Sequence, residues 1–266
     1  MKGTFFRSKA MVDASWKNDS HRGPAPAKKQ PIVEFENLAW RYDDLFSRSR
    51  IGTQRGIVWE VLADIFRPGD AILVLNCRTR EDEIFLALLD VSVVASDAVE
   101  EVIHAELRSG RTFDGALANF SGLHSIADFH QTARDLACLV TMGAPLIICI
   151  STRFCLSETV WFLVHGKYRD AFRRCSGIAT VTLGDRDVKI HYPTLRELRK
   201  SFSPSFLMRS CAGIGVAVPP LYLEPIFRRY PRVLSLLRLI DRRVSHLPFL
   251  RTIGDHMLLY FERAEP

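Results

Sequence analysis

The chemistry that can be read from this chain begins at a turn. Ala71-Ile-Leu-Val-Leu75 is a continuous apolar run followed by Asn76-Cys-Arg-Thr-Arg80, and a second run, Val91-Ser-Val-Val-Ala95, ends at Ser96-Asp97. Asp97 stands 19 residues beyond Arg78. In open α/β sheets, ligands bind off the carboxyl ends of the strands where the strand order reverses. A carboxylate ending the second strand is placed there to accept a ribose hydroxyl, while the first-strand turn holds the rest of a nucleoside cofactor. Asp97 has a second reading as N-cap of a helix from Ala98, since Asp is a preferred acceptor for unpaired helical N–H groups. Arg78 and Arg80 either face solvent or meet an anion at a helix start.

Other chemistries find less support. Cys77, Cys138, Cys149, Cys155, Cys175 and Cys211 form no C-x-x-C pair. Cys138 and Cys149 sit in apolar stretches and read as small core residues. The eight histidines make no H-E-x-x-H, and His124 and His130 lack further ligands, so no metal is expected.

The elements that must position the turn follow from periodicity. Ile57, Val58, Val61, Leu62 and Ile65 recur at helical spacing, and Pro68-Gly69 stops that helix. The two apolar runs have the composition of strands buried on both faces of a parallel sheet. Helices are expected at 81–89, 98–107 and 126–139, and strands at 113–119 and 145–150. Strands alternating with helices imply a doubly wound, mostly parallel α/β sheet of Rossmann-like type. From about 151 to 195 the pattern becomes a helical and hairpin cap, with strands at 179–183 and 188–192. Further strands are expected at 206–212 and 256–261.

With 47% hydrophobic and 25% charged residues, the 266-residue chain is too apolar to be disordered and has no apolar run long enough to span a bilayer. Seven of its basic residues and two acids lie in residues 1–31, so this tail carries five of the six net positive charges. The basic balance describes a tail rather than a nucleic-acid-binding body. The expected organisation is a disordered tail at 1–31 and one α/β domain at 32–266. The lack of a secretory pattern in that tail, with no paired cysteines, predicts a cytoplasmic protein.

These residues together resemble the class I S-adenosylmethionine-dependent methyltransferases, in their small-molecule branch. The resemblance is carried by Phe35, Tyr42-Asp43, Pro68-Gly69, Leu73 to Arg80, Val93 to Asp97, Phe113-Asp-Gly115, Asn119-Phe120 and the closing segment Asp255 to Leu259; it spans Phe35 to Arg263. It implies an antiparallel C-terminal strand and S-adenosylmethionine as cofactor, held by Tyr42, Asn76, Cys77, Asp97, Asn119 and Phe120. The acceptor is then an unidentified small molecule met by Arg153, Glu158 and Trp161 of the cap. Trp161 and Tyr42 also suit plain packing.

Two departures from the family pattern set a second expectation. The family has an acid where this chain has Val74, for the methionine ammonium, and glycines where it has Arg78 and Arg80. Only fifteen residues, 98–112, separate Asp97 from Phe113, too few for the family's third strand and its flanking helices. The alternative is therefore a pseudoenzyme, a non-catalytic scaffold or binding subunit on the same fold. Without a third strand, Val91 to Ala95 becomes a sheet edge, expected to be covered by a loop, by the basic tail or by a partner subunit such as a second copy of the chain.

Overall fold

The structure, a computed structural model, describes residues 53–75, 80–96, 98–120, 123, 126, 128–183, 186–220 and 229–265. The expected tail and the segment around Tyr42 lie outside them. Helix α1 (Thr53–Ile65) leads to β1 (Ala71–Leu75), α2 (Glu81–Leu88), β2 (Ser92–Ser96), α3 (Val99–Ser109), β3 (Gly115–Ala118), α4 (Phe129–Leu139) and β4 (Pro145–Ser151). The cap follows as α5 (Leu156–Val164), α6 (Tyr168–Ala171) and the hairpin β5 (Ile178–Leu183) and β6 (Arg186–His191). Then come α7 (Leu195–Phe202), β7 (Phe206–Ile214), α8 (Pro231–Val244), a 3-10 turn (Leu250–Thr252) and β8 (His256–Arg263).

The six-stranded sheet runs β2-β1-β3-β4-β8-β7. Its first four strands are parallel, and β8 is antiparallel to both β4 and β7. Alternation along the strands splits the core. Leu73, Leu75, Ile148 and Met257 pack under α3, α4 and α7, whereas Ile72, Val74, Leu117 and Cys149 pack under α1 and α2. Both faces are covered, which is why the strands read as unbroken apolar runs. No helix among the described residues is long and apolar enough to cross a membrane.

The order in which strands are added reverses between β1 and β3. From β1 the chain passes through α2 to β2 on one side; from β2 it returns over β1 through α3 to β3 on the other. Residues 98–112 hold one helix and a loop, and among the described residues β2 pairs with β1 alone. Gly110, at φ 69, ends α3 in the left-handed conformation that only glycine takes without strain.

Element ends differ from the sequence reading by a few residues, for local reasons. The strand expected at 113–119 is β3, Gly115–Ala118. Phe113 makes a lone bridge to Val140, and the Asp114 carboxylate accepts the Ala71 N–H at 3.0 Å. Helix α4 starts at Phe129, not Ile126, because the Asp128 side chain accepts from the N–H groups of His130 and Gln131. The α3 N-cap is Ala98, whose N–H is held by Ser96 Oγ at 3.2 Å. Strand β6 begins at Arg186, paired with Leu183, and β7 runs on to Ile214.

Candidate functional site

The crevice where strand order reverses lies between the carboxyl ends of β1 and β3. Arg80 leads into α2 with φ 53 and ψ 4, a left-handed backbone that costs an L-residue about 1–2 kcal/mol. It stands where the family resemblance puts a glycine. The first turn of α2 then carries Glu81, Asp82 and Glu83, acids that complement the helix dipole. Glu81 pairs with Arg55 of α1. Asp82 turns inward: it accepts the Trp59 indole N–H at 2.7 Å and the Asn119 amide N–H at 2.9 Å. Trp59 stacks flat on Phe85, with ring centroids 4.7 Å apart. One carboxylate thus ties α1, α2 and the end of β3 into a floor.

Above the floor stands Phe120, with φ 52, also left-handed. The Arg55 guanidinium lies 5.2 Å from the centre of its ring, and His256 meets it edge-on at 4.9 Å. His256 Nδ1 is 3.1 Å from Gln54 Oε1 and 3.4 Å from Asp255 Oδ2. Asn119 is 4% exposed, yet its Oδ1 has no hydrogen-bond partner among the described residues. An unpaired buried acceptor costs about 1–3 kcal/mol, so this oxygen is a point of attachment for a donor.

A second polar cluster lies beyond Asp255, under the cap. Arg174 donates to Asp255 Oδ1 at 2.9 Å, to the Asp255 carbonyl at 3.2 Å and to Glu158. Arg173 adds an ion pair to Glu158 at 2.7 Å. Thr159 Oγ1 donates to the Ala171 carbonyl at 3.0 Å and fastens α5 to α6. Burial by itself would raise the Asp255 pKa; His256 and Arg174 outweigh it and hold the carboxyl well below the usual carboxylate range. Burial pushes the Cys155 thiol up to about 11. Cys155, Glu158 and Asp255 come within 4.8 Å of one another, a donor set in which Arg174 already supplies the cation.

Behind this cluster a cleft of about 480 Å³ opens off the end of β4. Its walls include Arg153, Phe154, Cys175, Leu195, Arg196 and Met257. Arg153 Nε donates to the Tyr192 carbonyl at 3.1 Å, and its Nη2 pairs with Glu197 at 3.3 Å.

The residues expected from the sequence separate into three groups. Asn119 and Phe120 meet in the crevice, whereas Tyr42, Asn76, Cys77 and Asp97 lie outside the described residues. The three cap residues do not converge. Arg153 lines the cleft, Glu158 is buried against Arg174, and Trp161 is half-buried on α5 with its ring 4.2 Å from that of His165. Val74 is 1% exposed in the apolar layer with Trp59, Phe85 and Leu117. Sequence reasoning missed Trp59, Asp82, Arg55 and Arg174. The acidic run 81–83 was the available signal for Asp82, but dipole matching explains all three acids without singling one out.

No family model and no curated protein matches the chain. Solved structures similar to it include an S-adenosylmethionine-dependent methyltransferase from Methanosarcina mazei, with a TM-score of 0.47 and 14% identity over 77% of this chain and 98% of that one. Another, from Clostridium acetobutylicum, has a TM-score of 0.46 and 10% identity over 87% and 99%. The [4+2]-cyclase SpnF is also similar, with a TM-score of 0.44 and 11% identity over 79% and 80%. Likeness at this level carries no functional argument, and the Rossmann-like architecture stands on the strand order itself.

Proposed function

We propose that the protein is an S-adenosylmethionine-dependent methyltransferase acting on a small molecule, with a weakened hold on the methyl donor. The observation that carries this reading is the state of the reversal-point crevice. Three non-glycine residues among those described have positive φ, and two of them, Arg80 and Phe120, rim it. Strained backbone of this kind collects at ligand sites, where the surrounding structure over-determines it. The unpaired Oδ1 of Asn119 sits beside them.

The crevice suits the donor at one end only. Asn119 Oδ1 offers an acceptor, Phe120 an aromatic surface, and the left-handed Arg80 a close backbone approach. Asn76, Cys77, Asp97 and Tyr42 join them on the family resemblance. The methionine ammonium has no carboxylate at Val74, whose side chain belongs to the core. Losing such a charge-assisted bond costs about 1.5–3 kcal/mol, one to two powers of ten in affinity. When bound, S-adenosylmethionine supplies an electrophilic methyl group. Asp82 and Trp59 hold Asn119 in place, Arg55 covers Phe120, and the cap receives the acceptor.

Calorimetric titration tests this reading. A dissociation constant on the order of 1 mM is expected. Micromolar binding would overturn the weakened hold and leave an ordinary enzyme. No saturable heat at donor concentrations tenfold higher would favour the second reading, a non-catalytic subunit of the same fold. That alternative draws on the floor of the crevice, where both Asp82 oxygens and the Asn119 amide N–H are already spent on each other and on Trp59. On either reading β2 is the sheet edge among the described residues, which a loop, the basic tail or a partner subunit would cover.

A further inference from the structure

We infer that the cleft beneath the cap is a binding site for an amphiphilic anion, an apolar chain or ring carrying a single carboxylate. The inference rests on the acceptor role given to the cap above and names the class of molecule that the cap receives. The volume, about 480 Å³, lies within the range of small-molecule sites. Phe154, Pro193, Leu195, Ile253 and Met257 give it apolar walls.

Its polar groups are mostly occupied. Thr152 Oγ1 donates to the carbonyl of Phe154, in its own loop, or to that of Gly254 before β8. Thr194 Oγ1 accepts the Glu197 N–H at 3.2 Å in the capping box of α7. An uncharged polar ligand would find few partners at this end of the cleft, whereas an apolar body displaces water from the walls at no cost in hydrogen bonds.

Charge is left over at one place. Arg153 is engaged by Glu197 and the Tyr192 carbonyl, while Arg196 is exposed and has no hydrogen bond or ion pair among the described residues. Arg153 and Arg196 against Glu197 leave one net positive charge at the mouth. A single carboxylate complements it, and a planar guanidinium receives a carboxylate through two parallel hydrogen bonds.

Titration of the full chain with dodecanoate, dodecanol and butyrate tests the inference without the methyl donor, so that this reading and the donor reading can fail separately. Dodecanoate should bind saturably, and dodecanol and butyrate at least about tenfold more weakly, each lacking one half of the recognition. Arg196→Gln should weaken dodecanoate about tenfold and leave dodecanol unchanged. Cys175→Trp, at an exposed wall position, should abolish binding by filling the cleft, and Arg199→Gln, on α7 outside the cleft, should change nothing. The inference is overturned if dodecanoate gives no saturable heat, if it binds no better than both controls, or if Arg196→Gln has no effect. Dodecanoate binding with no response to S-adenosylmethionine would leave the cleft assignment standing and remove the donor reading alone.

Discussion

Asp255 and His256, at the start of β8, stand between two buried polar clusters built on different terms. On the cap side, Glu158 and Asp255 face Arg174 and Arg173, so charge balances and each carboxylate has a guanidinium. On the crevice side, Asp82 serves two neutral donors, while Gln54 Nε2 and Asn119 Oδ1 have no partner among the described residues. The first cluster is balanced in charge, although Arg174 Nε has no hydrogen-bond partner among the described residues, and it joins cap to sheet across 97 residues of chain. The second is unfinished, and buried polar atoms without partners are what a ligand can complete. Balanced charge marks the cap cluster, whereas the crevice holds neutral unpaired groups with no opposite charge facing them among the described residues.

The sharpest way to break the comparison is to remove the cation of the charge-balanced cluster. Arg174→Met leaves Glu158 buried with only the half-exposed Arg173 and Asp255 with only His256. Breaking a buried pair in this way costs about 3–5 kcal/mol, and for a domain of this size the melting temperature should fall by on the order of 10 °C. A change within experimental error would mean that the cluster does not hold the cap.

The same cluster sets a pH signature. The Asp255 pKa is depressed in the folded state, so its contribution is fully present above the unfolded value, about 4, and is lost as pH falls below that toward the folded value. Melting temperatures measured from pH 7 down to pH 2.5 should drop below pH 4 in the wild type. The slope should be shallower in Arg174→Met, where one of the charges depressing that pKa is gone.

A smaller effect is expected at the crevice. Asp82→Ala strands the Trp59 and Asn119 donors and should cost about 2–3 kcal/mol in urea unfolding. Asp82→Asn should cost less than about 1 kcal/mol, because Asn119 can turn its unpaired Oδ1 toward the new amide. Equal losses in the two variants would show that Asn119 is not free to turn and that its oxygen is held by something else.

The smallest effect has the opposite sign. Arg80→Gly removes an L-residue from the left-handed region and should stabilise the fold by about 0.5–1 kcal/mol after the entropic cost of glycine. Any loss of stability would mean that the Arg80 side chain makes contacts that outweigh its backbone strain. Phe120→Gly relieves similar strain but forfeits the contacts to Arg55 and His256, so no gain is expected there.

Much of the sheet was legible because burial leaves a direct trace in composition. Ala71 to Leu75 and Pro145 to Ser151 are covered on both faces, and their sequences say so without reference to any neighbour. The spacing between Asp97 and Phe113 likewise dictated the crossover, since fifteen residues hold a helix and a loop and little else. Of the residues that form the candidate crevice, the sequence named only Asn119 and Phe120, because a strand end is the one cue it offers there. Glu158 was singled out as an acceptor contact, but its partners lie 16 residues on, in Arg174, and, through that guanidinium, 97 residues on, in Asp255.

By itself, then, the chain determined where strands and helices form and which strand ends face one another, because periodicity and burial are local or pairwise along the sequence. Only the tertiary structure decided which of three adjacent acids at 81–83 turns inward. It alone also decided that Val74 joins the core and that Arg80 stands in a backbone region meant for glycine. Those outcomes depend on what arrives from elsewhere: Trp59 from α1, Asn119 from β3, Arg174 from the cap. A side chain's role is fixed by its partners' positions, and the distances that bring those partners together are set by the packed sheet.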